Sequence, residues 1–189
     1  KTAKLVKDDA KPGTNVTGTT DMNPVAEQLD LLLKLVPNAK TIGTIYCSSE
    51  VNSQLQVELL KKAAAAKGIT VKEATVSTVN DIQQAARSLT GDVQAVYVPT
   101  DNVLASAIPT LISVTEEAKL PVICAEGGMV RAGGLATLGV DYYKLGFQTG
   151  VMAADILSGK SKPADMAIQA QKEFKPTINL KEAAKIGLK

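Results

Sequence analysis

The chain predicts a doubly wound α/β fold built on a parallel sheet, and three observations predict it. Short runs rich in Ile, Val and Ala alternate with segments whose apolar residues recur at helical spacing, the pattern of strands joined by crossover helices. Three of the runs end in a tyrosine beside a polar cluster: Tyr46-Cys47-Ser48-Ser49-Glu50-Val51-Asn52-Ser53, Tyr97-Val98-Pro99-Thr100-Asp101-Asn102 and Gly139-Val140-Asp141-Tyr142-Tyr143. All four tyrosines of the 189 residues fall at these ends. Right-handed crossovers align the clusters on the carboxyl edge of the sheet, where ligands bind in open α/β folds.

The elements follow in order. Residues 1–21, through Pro12-Gly13 to Gly18, read as connector or short strand. Asn15-Val16-Thr17 fits a glycosylation acceptor, a triplet that is common by chance. Asn23-Pro24 predicts a helix start, Asn as cap and Pro at the first helical position. Val25, Leu29, Leu32, Leu33 and Val36 form its apolar face, and Pro37 ends it. A strand over 41–46 precedes a helix over 51–67, whose expected inner face is Val51, Leu55, Leu59 and Ala63, with Gly68 as its left-handed cap. A second strand covers 70–76. Thr78 and Asp81 read as a capping box ahead of a helix bearing Ile82, Ala85, Ala86 and Leu89.

Strand 93–98 leads to a helix that Pro109 divides. Strands 120–125 and 135–140 flank Gly127-Gly128-Met129-Val130-Arg131-Ala132-Gly133-Gly134, which lacks the phosphate-loop arrangement and reads as a crossing or turn. The next helix places Leu145, Thr149, Met152, Ala153 and Ile156 inward and stops at Gly159. Residues 164–170 and 177–179 read as extended, and Asn179 with Glu182 caps a last short helix.

Composition narrows the chemistry. Hydrophobic residues make up 45% of the chain, enough for a core, and the net charge is +2. With no basic run, nothing marks a nucleic-acid or membrane-surface partner. The longest apolar stretches fall well short of the roughly 18 residues of a spanning helix. Histidine is absent, which removes His-ligated metals, Ser-His-Asp triads and His general bases. Cys47 and Cys124 stand at strand ends and read as small buried hydrophobes.

The polar clusters read as a binding edge. Ser49, Glu50, Asn52 and Ser53 sit at a helix start, where hydroxyls and unpaired N–H groups suit a carboxylate. Beside Thr100, Asp101 and Asp141 offer carboxylates for an ammonium and Asn102 can donate and accept, and Glu126 is a further acid beside the glycine run. Helix capping accounts for each acid taken singly. Their shared topological position is what favours a ligand.

Four segments in order, Pro12-Gly13-Thr14-Asn15-Val16-Thr17-Gly18, Tyr46 to Ser53, Pro99-Thr100-Asp101-Asn102 and Leu138-Gly139-Val140-Asp141-Tyr142-Tyr143-Lys144-Leu145-Gly146, resemble the ABC-transporter substrate-binding protein family that includes tryptophan and tyrosine binders. The likeness runs nearly end to end. It implies a type I periplasmic-binding fold, with lobes of flavodoxin-like strand order joined by three crossings and closing on a small amino-acid-like solute. It implies an ABC permease as partner, an extracytoplasmic, membrane-tethered (lipoprotein) setting, and no cofactor, metal or turnover.

By the same resemblance, residues 1–18 end a first lobe that is otherwise missing, 19–125 form the second lobe, 126–160 belong to the first, and 161–189 return to the second. Ser49, Glu50, Asn52, Ser53, Thr100, Asp101 and Asn102 then line the second-lobe wall, with Asp141 and Tyr142 at the first-lobe rim or hinge. Tyr46 or Tyr142 stacks on an aromatic solute, and Asp101 or Asp141 takes its ammonium. The helix over 145–156 is left without its partner, which predicts a homodimer or a local repacking. Two other readings share the architecture: the effector-binding domain of a LacI-like transcriptional regulator, and a small α/β enzyme using carboxylates.

Overall fold

The computed structural model describes residues 4–188; Lys1, Thr2 and Ala3 of the expected 1–18 segment, and Lys189, lie outside the described residues. In chain order the elements are β1 (Thr19–Thr20), α1 (Val25–Leu35), β2 (Thr41–Cys47), α2 (Val51–Ala65), β3 (Thr70–Val76), α3 (Ile82–Leu89), β4 (Ala95–Val98), α4 (Asn102–Ser106) and α5 (Ile108–Glu117). They continue with β5 (Val122–Cys124), α6 (Gly127–Arg131), β6 (Ala136–Gly139), α7 (Tyr142–Leu157), β7 (Gln169–Ala170), β8 (Lys175–Ile178) and α8 (Leu180–Ile186). Two compact units result. One holds Asn23–Gly139 and the segment from Lys175 on; the other holds the segment up to Met22 and Val140–Phe174.

The larger unit is a six-stranded sheet in the order β3-β2-β4-β5-β6-β8. Its first five strands are parallel, as the βα alternation predicts, and β8 closes the edge antiparallel to β6, with Ala136 opposite Ile178. The chain runs outward from β2 to β3, then returns to build β4, β5 and β6 on the other side. The order therefore reverses between β2 and β4, and that reversal opens a crevice at the carboxyl ends of the two strands.

Side-chain alternation splits the core in two. Val96 and Val98 face the helices α3, α4 and α5, in a cluster with Ile45, Ile82, Leu104, Ile108 and Leu111. Ala95 and Tyr97 face α1 and α2 instead, among Leu29, Leu32, Ile42, Leu60 and Ile123. Strands this apolar on both faces mark a sheet covered on both sides.

Three expectations are corrected. The buried face of α2 is Ser53, Gln56, Val57, Leu60 and Ala64, whereas Val51, Leu55 and Leu59 are exposed. The most apolar stripe loses because the start of the helix turns its polar residues inward, onto the end of β4. Asn23 does not cap α1: the helix has no side-chain cap, and the Asn23 amide bonds elsewhere. The glycine run holds a full helical turn, α6, because the Glu126 carboxylate accepts the amides of Gly128 and Met129, both at 2.6 Å. The expected capping box is present, with Asp81 Oδ2 accepting the Thr78 amide at 2.8 Å.

In the smaller unit β1 pairs in parallel with β7, Thr19 opposite Gln169. Thr19 Oγ1 meets Thr149 Oγ1 at 2.7 Å, tying β1 to α7. Of the expected inner face of α7, Leu145 and Met152 are buried, while Tyr143, Phe147, Val151 and Leu157 are exposed. Residues 163–165 form a 3-10 turn that overlaps the start of the 164–170 stretch expected to be extended, because Pro163 sits at its first position.

Candidate binding site

At the switch point, the segment after β2 meets the segment after β4, and polar side chains stitch them together. Asp101 sits beneath the surface, 1% exposed. Its Oδ2 accepts the Cys47 amide at 2.7 Å and the Ser53 hydroxyl at 2.8 Å, and its Oδ1 caps α4 by accepting the Leu104 amide at 2.9 Å. A buried carboxylate needs such donors to replace the water it gives up. Asp101 thus holds the ends of β2 and β4 and the start of α2 in register.

Glu50, the residue before α2, reaches across the same gap. Its carboxylate accepts the Asn102 amide at 2.9 Å, the Val103 amide at 3.2 Å, Asn102 Nδ2 at 2.9 Å and Asn52 Nδ2 at 3.3 Å. Burial works to raise its pKa, but the amides of Asn102 and Val103 and the Asn52 and Asn102 side chains outweigh burial and hold it below the ordinary value. Glu50 is therefore ionised at neutral pH, and its charge is spent on the turn that opens α4.

Thr100 lies between them. Its carbonyl accepts Asn52 Nδ2 at 2.8 Å and Ser53 Oγ at 3.0 Å, its amide donates to Gln56 Oε1 at 3.1 Å, and its hydroxyl accepts Asn23 Nδ2 at 2.8 Å. The structure thus brings together Glu50, Asn52, Ser53, Thr100, Asp101 and Asn102. Ser49 adjoins them through its hydroxyl, 3.2 Å from Cys47 Sγ.

The remaining candidates sit on other elements. Glu126 caps α6 at the end of β5. Asp141 and Tyr142 belong to the smaller unit, where Asp141 caps α7 through the Lys144 amide at 3.1 Å and Tyr142 donates to Asp21 Oδ2 at 3.2 Å. The tyrosines serve different ends. Tyr46 donates to Glu73 Oε2 at 2.9 Å, and Tyr97 is wholly buried and donates to Gln28 Oε1 at 2.6 Å. Burial pushes the Tyr97 phenol well above its ordinary pKa, so it acts as a neutral donor inside the core. Cys47 and Cys124 are free and buried, and no cluster among the described residues has the make-up to hold a metal ion.

Sequence reasoning missed Asn23, Gln28 and Gln56. A glutamine in a helix reads as a solvated face and an Asn before Pro reads as a cap, so the chain carries no signal that these amides turn inward. Gln28 is fully buried and bridges the Ala125 and Leu138 carbonyls at 3.0 and 2.9 Å.

Comparison with known proteins agrees with this architecture. The family described as ABC transporter substrate binding protein matches residues 2–189. A curated tyrosine-binding protein of Clostridioides difficile is 42% identical over 94% of this chain and 51% of its own length. A Streptococcus pneumoniae ABC domain solved in complex with L-Trp is 42% identical, with a TM-score of 0.92 over 99% of this chain and 65% of the other. A LacI-family regulator from Arthrobacter, 15% identical with a TM-score of 0.68 over 90% of this chain and 66% of its own, shares the fold alone. The chain spans about half the length of the curated relative.

Proposed function

The chain belongs to the ABC transporter substrate-binding protein family, and from that premise we propose that its protein captures an aromatic amino acid, L-Tyr or L-Trp, for an importer. The observation that carries this reading is the 42% identity to a tyrosine-binding protein along 94% of the chain. The polar edge at the switch point fits it. Six hydrogen-bonding residues converge where an open α/β sheet receives ligands, and their carboxylates are held in place by backbone and side-chain donors.

In this reading the larger unit supplies one wall of a cleft, with Glu50, Asn52, Ser49, Ser53, Thr100 and Asn102 on or just behind its surface. Asp101 positions that wall from beneath. Asp141, Tyr142 and Glu126 are further candidates for contact with the solute, and residues 1–18 and 140–160 of the smaller unit belong to the first lobe. Closure on the solute is favoured only by contacts that the closed state adds. The protein acts without cofactor or turnover, outside the cytoplasm, tethered to the membrane, and delivers its solute to an ABC permease. The apolar side chains exposed on α7 give the isolated chain a surface for homodimerisation.

Titration calorimetry of the full-length natural protein against the twenty amino acids tests the reading. Saturable binding of L-Tyr or L-Trp, without product formation, is expected. Failure of every amino acid to bind overturns the solute assignment.

A further inference from the structure

Asn23 is 4% exposed, and its Oδ1 has no hydrogen-bond partner among the described residues. Two other buried side-chain oxygens share that condition, Thr44 Oγ1 in β2 and Thr137 Oγ1 in β6. Both are hydroxyls within strands. Asn23 stands instead at the carboxyl edge, its Nδ2 fixed on Thr100 Oγ1 at 2.8 Å. A buried amide oxygen forfeits its hydration unless a donor reaches it, so a native protein that keeps one calls for an explanation.

The neighbouring acceptors are already engaged. Asp101 is buried under three donors, the Glu50 carboxylate takes the amides of Asn102 and Val103 and two side-chain amides, and the Thr100 carbonyl takes Asn52 and Ser53. Neither Asp101 nor Glu50 has a carboxylate oxygen without a donor. Asn23 Oδ1 is the buried side-chain acceptor of this edge that has no donor among the described residues, held in place by its other amide atom. Beside it, Thr100 Oγ1 still has its own O–H to donate.

We propose that Asn23 is a ligand-binding residue whose Oδ1 accepts the α-ammonium of the bound amino acid, with Thr100 as the residue that orients it. The inference rests on the reading that the protein binds an amino acid. It replaces a carboxylate with a neutral amide as the ammonium's partner on this wall. A neutral partner leaves the ionised Glu50–α4 contact undisturbed when the solute arrives, and it selects for a hydrogen-bond donor at that position.

Calorimetry on the full-length natural protein, with L-Trp and L-Tyr as probes, tests it through Asn23→Ala and Asn23→Asp, each first checked for an unchanged thermal unfolding profile. Asn23→Ala is expected to weaken the amino acid by at least about tenfold, the scale of a hydrogen bond to a charged group. Asn23→Asp keeps an acceptor in place and is expected to hold affinity within about threefold of wild type, or to raise it. Indole-3-propionate, which lacks the ammonium, is expected to bind wild type and Asn23→Ala alike.

Unchanged L-Trp and L-Tyr affinity in Asn23→Ala, or equal loss in both variants, overturns the assignment. A reversed amide, presenting Nδ2 to the ligand carboxylate, shows as weakening by Asn23→Asp and overturns it too. If wild type binds no amino acid, the functional reading falls and this inference falls with it. If wild type binds and the variants do not differ from it, only the role of Asn23 is lost. Should Asn23→Ala fail to fold, Asn23→Asp against wild type still decides, because loss of L-Trp affinity there contradicts an ammonium contact.

Discussion

Ser53 donates its hydroxyl to Asp101 Oδ2 at 2.8 Å, joining the first turn of α2 to the cap of α4 across the point where the strand order reverses. The same oxygen receives the Cys47 amide, so one buried carboxylate fixes three segments. Asp101→Ala strands those donors and the Leu104 amide, and is expected to cost about 3 kcal/mol of stability. Asp101→Asn, which keeps one acceptor oxygen, is expected to cost about half as much. Urea unfolding followed by circular dichroism measures both, and a loss below about 1 kcal/mol in the alanine variant contradicts this role.

Glu50 predicts an acid-side effect. Its folded pKa lies below the ordinary value of 4.5, so its contribution is present above that pH and is lost as pH falls through the folded value. Glu50→Gln is expected to lower stability by roughly 1 kcal/mol at pH 7, with the gap to wild type closing as pH falls below the ordinary carboxylate value. Thermal melts from pH 3 to 7 report it; a gap that widens towards acid rules the account out.

Glu182 works in the opposite direction. It is 3% exposed, beside Glu116, whose carboxylate holds Lys185 Nζ at 2.6 Å. Burial and the Glu116 carboxylate raise Glu182 to about 7, while the Lys185 hydrogen bond keeps Glu116 below its ordinary value. The stability that Glu182 contributes is thus fully present below about 4.5 and is lost as pH rises through about 7. Glu116, held below 4.5, acts with the opposite sign and only at more acid pH. Wild type is expected to lose melting temperature between pH 5 and 8 relative to Glu182→Gln, which mimics the protonated form. Parallel curves for the two proteins exclude this titration.

Gly134 has no room for a side chain. A Cβ there meets Cys124 Sγ in a clash and the Met129 carbonyl at 3.2 Å. Gly134→Ala is expected to cost about 1–3 kcal/mol by forcing β5 and α6 apart. Adding Cys124→Ala should recover part of the loss, because it removes the atom in the way. A neutral Gly134→Ala by chemical denaturation contradicts the packing.

On α7, Tyr143, Phe147 and Leu157 are 85%, 69% and 88% exposed. The 189-residue chain is expected to self-associate at micromolar concentration through this face, and Phe147→Lys to shift it to monomer. Sedimentation velocity decides; a wild-type chain that stays monomeric at high concentration removes the dimer.

What was legible in the chain, and what was not, divides along physical lines. Strand runs at 41–46, 70–76 and 93–98, the left-handed caps Gly68 and Gly159, and the Asn179 cap of α8 follow from local preferences, and the structure carries them with boundaries shifted by a residue or two. The parallel, doubly wound class follows from the alternation of those elements, since crossovers leave the strands few other arrangements. The family was legible as well, from four short segments in order.

The inward face of α2 and the destination of each polar side chain were not legible. Val51, Leu55 and Leu59 make the better apolar stripe, yet Ser53 and Gln56 go inside because unpaired groups at Thr100 and Asp101, some fifty residues away in sequence, need their hydrogen bonds. Asn23 looked like a cap, and its amide instead spans to Thr100. Local chemistry by itself determined where helices and strands form, because propensity, spacing and capping act within a few residues. Which polar atoms are consumed internally and which remain for a ligand was decided only by the tertiary structure, because a buried donor or acceptor is satisfied by whatever the fold brings within about 3 Å.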